Sequence, residues 1–332
     1  MHRTVLLFNG DGTTTLTSEL LPDIGPDKVL VESEATLVSA GTERLVLNGN
    51  VDASLADTTA EGADFAYPRP YGYCCVGRVT KTGTDVSRDV AGQRVFGFLP
   101  HATHHVVAAK ALYPLPDTLA SHDATFIPNV ETALSIVWDA QVGPGSRVVI
   151  IGVGLVGTLV ARLLQQIPAL DLAVVDTAST LADHTFLADT VHRSPTDSFD
   201  ADALPGHWTN GPDVVIELSG VPAMLQHSLD VAGPETRVVL GSWYGNKSVS
   251  LDLGAAFHRK RLTMAATPVS TLPARRKTRW SKPRQLRTAI QLAENLRPAA
   301  DVQTVPFAEA PSVYAQLCSG AIHHSHVLTY NI

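Results

Sequence analysis

The stretch Val148-Val149-Ile150-Ile151-Gly152-Val153-Gly154-Leu155-Val156-Gly157 decides the fold of this chain. Four apolar β-branched residues run directly into three glycines spaced Gly-x-Gly-x-x-Gly, which predicts a strand, a tight turn and the first turn of a helix. A second apolar run, Leu172–Val175, ends at Asp176, about 20 residues after the third glycine. Together these features indicate a βαβ unit that binds a dinucleotide.

The residues of the glycine motif have separate physical tasks. Gly152 permits the tight turn, Gly154 lets the backbone approach a pyrophosphate, and Gly157 lets the helix pack against the sheet. Leu155 and Val156 open the helix, whose unpaired N–H groups and positive end favour phosphates. The alternative interpretation is a glycine-rich turn in an unrelated α/β sheet.

Asp176 decides which cofactor is expected. Its carboxylate can accept hydrogen bonds from both hydroxyls of a ribose and would repel a 2′-phosphate. The sequence therefore favours NAD, with NADP as the second choice. The alternative role of Asp176 is to cap a helix.

Strands and helices alternate around this motif. The predicted elements are a helix over 130–140, a strand over 148–151, a helix over 155–166, a strand over 172–175, a helix near 179–188, a strand over 214–218, a helix near 222–231, and strands over 238–240 and 262–265. Such alternation predicts a parallel sheet with right-handed crossovers. Short strands are predicted before it, over 1–10, 29–31, 36–38, 76–80, 94–98 and 105–108, and a helix near 287–295 and a strand near 326–330 after it.

Composition excludes several classes of protein. The 332 residues suit about two domains, and 45% hydrophobic with 17% charged residues is an ordinary globular balance. The longest uncharged apolar stretch, 148–161, is shorter than the about 20 residues of a membrane span, and the N-terminal apolar run is too short for a secretory signal. Three cysteines, two of them adjacent, build no disulfide framework, so we expect a reducing, cytoplasmic location. The net charge of −7 argues against nucleic-acid binding.

Positive charge is concentrated in one segment of the chain. Ten of the 25 Lys and Arg residues lie between Arg259 and Arg287, where the sequence has no acidic residue. One interpretation is a solvated face. Another is that an anionic substrate, such as a carboxylate or a phosphate, is held by some of Arg275, Arg276, Arg279 and Arg284, with Trp280 as a stacking surface. A nucleic-acid patch is a weaker third interpretation, because the rest of the chain is strongly acidic.

Five further segments share one resemblance. They are Ala40-Gly41-Thr42-Glu43, Gly72-Tyr73-Cys74-Cys75-Val76-Gly77, Gly92-Gln93-Arg94-Val95, Glu217-Leu218-Ser219-Gly220 and Arg237-Val238-Val239-Leu240-Gly241. With the glycine motif, they resemble the medium-chain dehydrogenases/reductases, the alcohol dehydrogenase superfamily, over nearly the whole chain. The resemblance implies an α/β protein with a GroES-like, β-rich catalytic domain over 1–118 and 269–332. It also implies a Rossmann dinucleotide-binding domain, with a doubly wound parallel sheet, over 119–268.

A narrower resemblance rests on other segments. They are Ser39-Ala40-Gly41-Thr42-Glu43, Tyr71-Gly72-Tyr73, Asn129-Val130-Glu131-Thr132-Ala133, Ser242-Trp243-Tyr244-Gly245 and Ala274-Arg275-Arg276. They are similar to a subgroup related to bacteriochlorophyllide dehydrogenase, and this subgroup implies no particular substrate.

The chain departs from the family at the metal ligands. In zinc-binding members the catalytic metal is held at positions that correspond here to Ala40, Tyr73 and about Pro128, and these side chains do not bind zinc. The four-cysteine structural zinc lobe is also missing from the sequence. The chain therefore resembles the zinc-independent branch, and we expect no metal. The alternative is a metal site made of the adjacent Cys74 and Cys75 with one of His101, His104 and His105.

Without zinc, hydrogen-bond donors must stabilise the negative charge that hydride transfer leaves on oxygen. Tyr73 stands at the position of the family's histidine ligand and is the first candidate for acid or electrophile, with packing as its alternative role. Thr42 matches the family hydroxyl that relays a proton, or else is a turn residue. Glu131 flanks the expected cleft as a third catalytic candidate, or else forms an ion pair with Arg44 or Arg69.

The resemblance also implies the remaining site residues. Thr132 corresponds to a small hydroxyl residue beside the nicotinamide, Ser219 and Gly241 lie in loops that contact the cofactor, and Asn129 flanks the substrate.

The implied function is hydride transfer between a nicotinamide cofactor and a hydroxyl/carbonyl pair on a small-molecule substrate. One alternative is reduction of an activated C=C bond, and another is a dinucleotide-binding protein without turnover. We also expect a homodimer, because the last strand of the nucleotide domain exposes an edge that a two-fold pairing would cover.

Overall fold

The computed structural model describes residues 1–51, 66–177, 192–195, 204–299, 302–322 and 324–331. The chain divides into two compact units. Unit 1 consists of Met1–Pro128 with Leu286–Ile332, and unit 2 consists of Asn129–Gln285. Unit 1 is thus discontinuous in sequence, whereas unit 2 is a single stretch. The predicted helix near 179–188 lies outside the described residues.

The described strands number from β1 to β16 in chain order. They are β1 (His2–Phe8), β2 (Thr14–Leu20), β3 (Lys28–Leu37), β4 (Arg69–Pro70), β5 (Cys75–Thr82), β6 (Arg94–Gly97), β7 (His104–Ala108), β8 (Tyr113–Pro114), β9 (Arg147–Ile151), β10 (Asp171–Asp176), β11 (His192–Pro195), β12 (Val214–Glu217), β13 (Arg237–Leu240), β14 (Thr263–Ala266), β15 (Gln303–Pro306) and β16 (His326–Thr329).

The described helices number from α1 to α7. They are α1 (Ala40–Leu47), α2 (Ser121–Ala124), α3 (Ile127–Ala140), α4 (Leu155–Leu164), α5 (Ala223–Asp230), α6 (Lys282–Leu296) and α7 (Ala310–Ser319). Within the described part of the chain, no helix is both long enough and apolar enough to cross a membrane.

Unit 2 is built on one sheet of six parallel strands in the order β11-β10-β9-β12-β13-β14. This order is that of a Rossmann fold, and it confirms the predicted parallel sheet. The apolar run over 148–151 is buried, as parallel strands covered on both faces require. Because the chain reverses direction across the sheet between β9 and β12, a crevice for a ligand is expected beyond the carboxyl ends of these two strands.

Unit 1 contains two sheets. A three-stranded sheet has the order β2-β1-β4, and a seven-stranded sheet has the order β15-β16-β3-β5-β6-β8, with β7 pairing on β3. The last strand, β16, lies antiparallel to β3 and brings the C-terminal segment into a sheet made mostly by the first part of the chain. Phe8, Leu47, Tyr314 and Leu328 belong to the core that joins them.

Unit 1 differs in two places from the elements predicted from the sequence. The separate strands predicted over 29–31 and 36–38 are one strand, β3, because two register shifts against β5 let the strand continue through its polar middle. The sequence predicts no helix over 40–47, where Gly41 and Thr42 are poor helix formers. The structure places α1 there, since burial of Val46 and Leu47 stabilises it.

Candidate active site

Three loops of unit 2 meet at the carboxyl edge of its parallel sheet. Glu217 at the end of β12 is in register with Ile151 of β9 and with Leu240 of β13, so the following loops start side by side. The predicted cofactor residues Gly152, Ser219 and Gly241 lie in these loops. The structure therefore brings them together, as the resemblance implies.

The three glycines of the motif meet different surroundings. At Gly152, where φ is +92°, a Cβ atom would lie 2.5 Å from the backbone of Ser219. At Gly157 a Cβ atom would lie 2.1 Å from the carbonyl oxygen of Gly152. At Gly154 a Cβ atom would meet nothing within 4 Å. Packing within the protein therefore requires the first and third glycines, whereas the second faces open space.

The helix α4 begins at this open space. Gly154 is its N-terminal cap, and the backbone N–H of Thr158 donates to the Gly154 carbonyl at 2.9 Å. The N–H groups of Leu155, Val156 and Gly157 precede the first bond of this helical ladder and point along the axis at the positive end of the helix. This arrangement favours an anion beside Gly154.

Asp176 lies next to the glycine loop. Its Oδ2 atom accepts from the backbone N–H of Val153 at 2.7 Å, and its Oδ1 atom accepts from the N–H of Thr177 at 2.7 Å. These bonds fix a half-buried carboxylate at the end of β10. A carboxylate oxygen has more than one acceptor direction, so Asp176 retains capacity for the hydroxyls of a ribose.

A second carboxylate supports the same edge of the sheet. Glu217 is fully buried, and it accepts from the backbone N–H of Ser219 at 2.8 Å, from the Ser219 hydroxyl, and from the Tyr244 hydroxyl at 2.7 Å. Burial, followed by the adjacent Glu217, raises the pKa of Tyr244, so this phenol stays a donor. Sequence reasoning gave Glu217 and Tyr244 no role. The available signal was a carboxylate that ends the apolar run Val214-Val215-Ile216.

The helix α3 carries three predicted site residues within its first two turns. Thr132 lies one turn before Ile136, whose Cδ1 atom would be 3.0 Å from a Cβ at Gly241. Thr132 is therefore on the part of α3 that approaches the cofactor loops. Asn129, which is buried, lies three residues earlier on the same helix.

Glu131, the third of these residues, is buried and forms an ion pair with a partly exposed lysine. Its Oε1 atom lies 2.6 Å from the Nζ atom of Lys282, which also donates to the Val269 carbonyl at 2.7 Å and to Gln285 Oε1 at 3.0 Å. Burial raises the pKa of Glu131, and Lys282 opposes that effect. The predicted alternative of an ion pair is thus realised, although with Lys282 in place of Arg44 or Arg69.

Other residues of the basic segment pack on aromatic side chains. Trp280 packs edge-on against Trp138 with ring centroids 4.6 Å apart, and Arg284 stacks 4.0 Å above Trp280. Arg276 lies 4.9 Å from the centre of the Trp138 ring. Partial burial at the start of β13, followed by the exposed Arg275, lowers the pKa of Arg237. Trp138 is about 9 Å along α3 from Thr132. Arg276 and Trp280 therefore pack on Trp138, and the substrate-binding role of Arg275, Arg276 and Trp280 stays a prediction.

Tyr73 and Thr42 lie in unit 1, near the first turn of α1. The half-buried Tyr73 donates from its hydroxyl to Ser39 Oγ at 2.6 Å, and Ser39 is the residue that precedes α1. Burial raises the pKa of Tyr73 well above its ordinary value, and Cys74, Glu43 and Tyr71 add to this, whereas the bond to Ser39 lowers it. Tyr73 is therefore a neutral donor at pH 7. Thr42 is half-buried in the same turn of α1.

The residues at the zinc-ligand positions, Ala40, Tyr73 and Pro128, do not offer the donors that zinc prefers. The sulfur of Cys75 lies 3.8 Å from His105 Nε2, but burial raises the pKa of Cys75 to about 12 and lowers that of His105 to about 3. The Cys75 thiol is thus protonated in the protein described here. Within the described residues, no group of three His, Cys, Asp or Glu side chains is placed to hold a metal.

Comparison with known sequences gives partial matches. No protein-family model matches the chain. The chain is 38% identical over 98 residues, 27% of its length, to a phenolphthiocerol/phthiocerol polyketide synthase protein of Mycobacterium tuberculosis. It is 27% identical over 268 residues, 75% of its length, to a highly reducing polyketide synthase of Stachybotrys chlorohalonatus. The chain spans only 4% and 10% of these two proteins.

Comparison with solved structures covers the whole chain. A candidate zinc-binding dehydrogenase from Sinorhizobium meliloti bound to NADP matches with a TM-score of 0.80 and 19% identity, over 99% of each chain. Galactitol-1-phosphate dehydrogenase from Escherichia coli matches with a TM-score of 0.78 and 18% identity, over 98% of this chain and 99% of that one. Acetophenone reductase from Geotrichum candidum in complex with NAD matches with a TM-score of 0.76 and 16% identity, over 99% of this chain and 97% of that one. The chain therefore has the fold of these dehydrogenases, with a GroES-like β-rich part and a Rossmann part.

Proposed function

We propose that the chain is a zinc-independent oxidoreductase of the medium-chain dehydrogenase/reductase type. It binds NAD(H) and transfers a hydride between the nicotinamide and a hydroxyl/carbonyl pair on a small-molecule substrate. The observation that carries this proposal is the loop from Gly152 to Gly157, in which two glycines are required by internal packing and Gly154 faces open space beside a helix N-terminus. Structures of the same fold that contain NADP or NAD support it.

The residues of unit 2 would bind and orient the cofactor. The N–H groups of Leu155 and Val156 would bind the pyrophosphate, and Asp176 would accept from the ribose hydroxyls. Glu217 holds the loop that carries Ser219, so that this loop keeps one conformation beside the nicotinamide site. The nicotinamide, when bound, accepts or supplies the hydride.

A residue of unit 1 would supply the proton. Tyr73 is a neutral phenol, and the same hydroxyl that donates to Ser39 would donate to the substrate oxygen as negative charge develops there. Thr42 is the second candidate for this proton relay. Glu131 is the weakest of the three, because its carboxylate is already bonded to Lys282.

The choice of cofactor tests the first part of the proposal. We expect NADH to bind at least about tenfold more tightly than NADPH, since Asp176 would repel the 2′-phosphate. In Asp176→Ser the ratio of the two dissociation constants should fall, and Asp213→Ser, which removes another acidic side chain of unit 2, should leave it unchanged. Tighter binding of NADPH by the unmodified protein would contradict the assignment.

The role of Tyr73 is tested by removing its hydroxyl. Tyr73→Phe keeps the ring and should lower turnover by about 10²–10³-fold, whereas the dissociation constant of NADH should not change. A variant with nearly normal turnover would give Tyr73 a packing role and pass the proton transfer to Thr42. Binding of NADH without turnover on a broad panel of alcohols, aldehydes and enones would instead identify a non-catalytic binding protein.

A second candidate function is reduction of an activated C=C bond. The similarity of 268 residues to part of a highly reducing polyketide synthase favours it. The two reactions are separated by a single substrate that contains both groups. With an enone and deuterated NADH, deuterium on the β-carbon indicates C=C reduction, and deuterium on the carbonyl carbon indicates C=O reduction.

We also propose a homodimer formed through β14. This strand ends the parallel sheet, and three of its four residues, Thr263, Met264 and Ala266, are exposed. Pairing of two such edges about a two-fold axis would satisfy their backbone groups. Light scattering should give twice the mass of the chain. Met264→Pro removes an N–H from this edge and should shift the protein from the dimer toward the monomer.

A cytoplasmic location is likewise a proposal. All three cysteines are free thiols, and Cys74 and Cys75 are buried. Such cysteines fit a reducing compartment, and cell fractionation followed by immunodetection tests the location.

A further inference from the structure

All four tryptophans of the chain lie in unit 2, and one of them differs from the rest in its surroundings. Trp138 and Trp280 pack edge-on with ring centroids 4.6 Å apart, and the indole N–H of the buried Trp208 donates to Asp171 Oδ2 at 2.6 Å. Trp243, in the loop after β13, is 43% exposed. Among the described residues, no aromatic ring stacks on Trp243 and no acceptor bonds its indole N–H.

The loop that carries Trp243 is fixed on both sides of this residue. On one side, Ser242 Oγ accepts from the backbone N–H of Gly220 at 2.9 Å, and the backbone N–H of Ser242 donates to the Glu217 carbonyl at 3.2 Å. On the other side, Tyr244 is buried and its hydroxyl donates to Glu217 Oε2 at 2.7 Å. The backbone therefore holds the Trp243 ring at the surface in a defined place.

The strand order places Trp243 at the half of the sheet edge proposed for the nicotinamide. The proposed phosphate site is beside Gly154, after β9, and Asp176 at the end of β10 lies to one side of it. A dinucleotide extends across the crevice at this edge, so its other half has to lie beyond β12 and β13. The loops after these two strands carry Gly220 and Trp243. Trp243 thus borders the region in which a substrate would meet the nicotinamide.

Open space and apolar surface adjoin the Trp243 ring. At Gly220, where φ is +69°, a Cβ atom would meet nothing within 4 Å. Val221, the next residue, is 50% exposed. Because the bond from Gly220 to Ser242 joins the two loops, Val221 and Trp243 each lie one residue away from it. Covering these two side chains with an apolar group would remove their surface from water, which is favourable.

The chemistry of this surface selects among possible groups on a substrate. An indole ring offers a π face, which favours an offset or edge-on contact with another planar ring. Since the backbone already fixes Trp243, little conformational freedom is lost when such a contact forms. A cationic group suits the site less well, because the Lys247 ammonium lies 3.5 Å from the Gly220 carbonyl in the adjoining loop. The surface therefore favours a planar, uncharged group.

We propose that Trp243 is a specificity-determining residue that stacks on a planar group of the substrate, aromatic or conjugated, next to the carbon that exchanges the hydride. This inference rests on the proposed function, because it takes hydride transfer at this edge of unit 2 as given. It adds the class of substrate, namely aryl or α,β-unsaturated alcohols and carbonyl compounds. A saturated ring of the same size fills similar space but has no π face to stack on the indole.

The first test measures the accessibility of Trp243 and requires no turnover. Acrylamide should quench the fluorescence of Trp243 before that of the buried Trp138 and Trp208 or the half-buried Trp280. Trp243→Phe should remove the readily quenched component and so identify it. With NAD bound, the unreactive carbonyl compounds benzamide and cinnamamide should protect this component, and cyclohexanecarboxamide at the same concentration should protect it less.

Other outcomes of this test overturn the inference in distinguishable ways. Protection by NAD alone would make Trp243 a cofactor contact. Protection that increases with protein concentration would mean that a second copy of the chain covers the ring. If NAD binds but neither benzamide nor cinnamamide protects Trp243, the substrate class is wrong and the proposed function stands. If titration calorimetry detects no binding of NAD, the proposed function fails and the inference fails with it.

The second test compares kcat/KM for benzaldehyde and cyclohexanecarbaldehyde with NADH. The intrinsic reactivities of the two aldehydes are the same for every variant, so a change in their ratio reports the protein. Trp243→Leu should lower the ratio of benzaldehyde to cyclohexanecarbaldehyde by about three- to tenfold, mainly through KM. Trp243→Phe keeps a ring and should retain most of the ratio. Leu253→Ala, which alters another exposed apolar residue of unit 2, is the matched control. An unchanged ratio in Trp243→Leu overturns the assignment.

Discussion

The glycines at positions 154 and 157 should respond in opposite ways to the same substitution. The substitution is glycine to alanine, and both positions lie at the start of α4, three residues apart. At Gly154 the new Cβ would meet nothing within 4 Å, and the backbone, at φ −62° and ψ −164°, is accessible to alanine. At Gly157 the new Cβ would lie 2.1 Å from the Gly152 carbonyl oxygen.

The magnitudes follow from these surroundings. Alanine is a slightly poorer helix cap than glycine but restricts the unfolded chain, so Gly154→Ala should change the free energy of unfolding by less than about 1 kcal/mol. Its methyl group occupies the space proposed for the pyrophosphate, so the dissociation constant of NADH should rise at least about tenfold, or ~1.4 kcal/mol. Gly157→Ala must open a contact by roughly 1 Å. Overpacking of this kind costs about 3 kcal/mol, and the higher helix propensity of alanine offsets about 1 kcal/mol of it.

Two measurements on each variant separate the outcomes. Thermal unfolding should show a clear fall for Gly157→Ala and a shift within about 2–4 °C for Gly154→Ala. Titration of NADH at a temperature where both variants are folded should show a larger rise in the dissociation constant for Gly154→Ala than for Gly157→Ala. Wild-type affinity in Gly154→Ala would mean that no phosphate binds beside this residue, and the dinucleotide assignment would be wrong.

Other predictions concern the core and the basic segment. Burial lowers the pKa of His105 to about 3, against 6.5 for a free histidine. As pH falls, the unfolded chain therefore binds the extra proton first. The free energy of unfolding should decline by roughly 3–5 kcal/mol between about pH 6.5 and 3. Urea unfolding at several pH values should show a shallower decline in His105→Leu and an unchanged one in the exposed control His258→Gln. Trp280→Ala should lower the free energy of unfolding by about 2–3 kcal/mol through loss of the contacts with Trp138 and Arg284, as chemical denaturation would measure. The same variant should keep the wild-type dissociation constant of NADH, whereas a weakened substrate KM without loss of stability would restore Trp280 as a substrate residue.

The sequence predicts unit 2 well because its signals are local. An apolar strand, three glycines and Asp176 follow one another within a short stretch, and each has a task that depends mainly on the backbone next to it. The strand order and the open space at Gly154 agree with that interpretation. The assignment of Asp176 and of the glycines to a cofactor stays a prediction until binding is measured.

The sequence does not predict the contacts that join distant residues. Glu131 pairs with Lys282, which is 151 positions away, and Glu43 accepts from Tyr314, which is 271 positions away. No spacing rule connects such residues, since strand pairing and helix packing bring them together only after folding. The basic segment shows the same limit, because charge alone could not indicate that Arg276 would stack on Trp138.

The discontinuity of unit 1 has a consequence for biosynthesis. Residues 1–128 emerge from the ribosome first, but β3 acquires its neighbour β16 only when the last strand has been made, about 200 residues later. At about 5–20 residues per second, this delay lasts about 10–40 s. The whole of unit 2 is synthesised in that interval and can fold while Ala35–Leu37 of β3, which β7 does not cover, still lack the neighbour β16. An unpaired strand edge is where nascent chains associate wrongly. The yield of native protein should therefore depend on translation speed through residues 129–285, although none of these residues belongs to the sheet at risk.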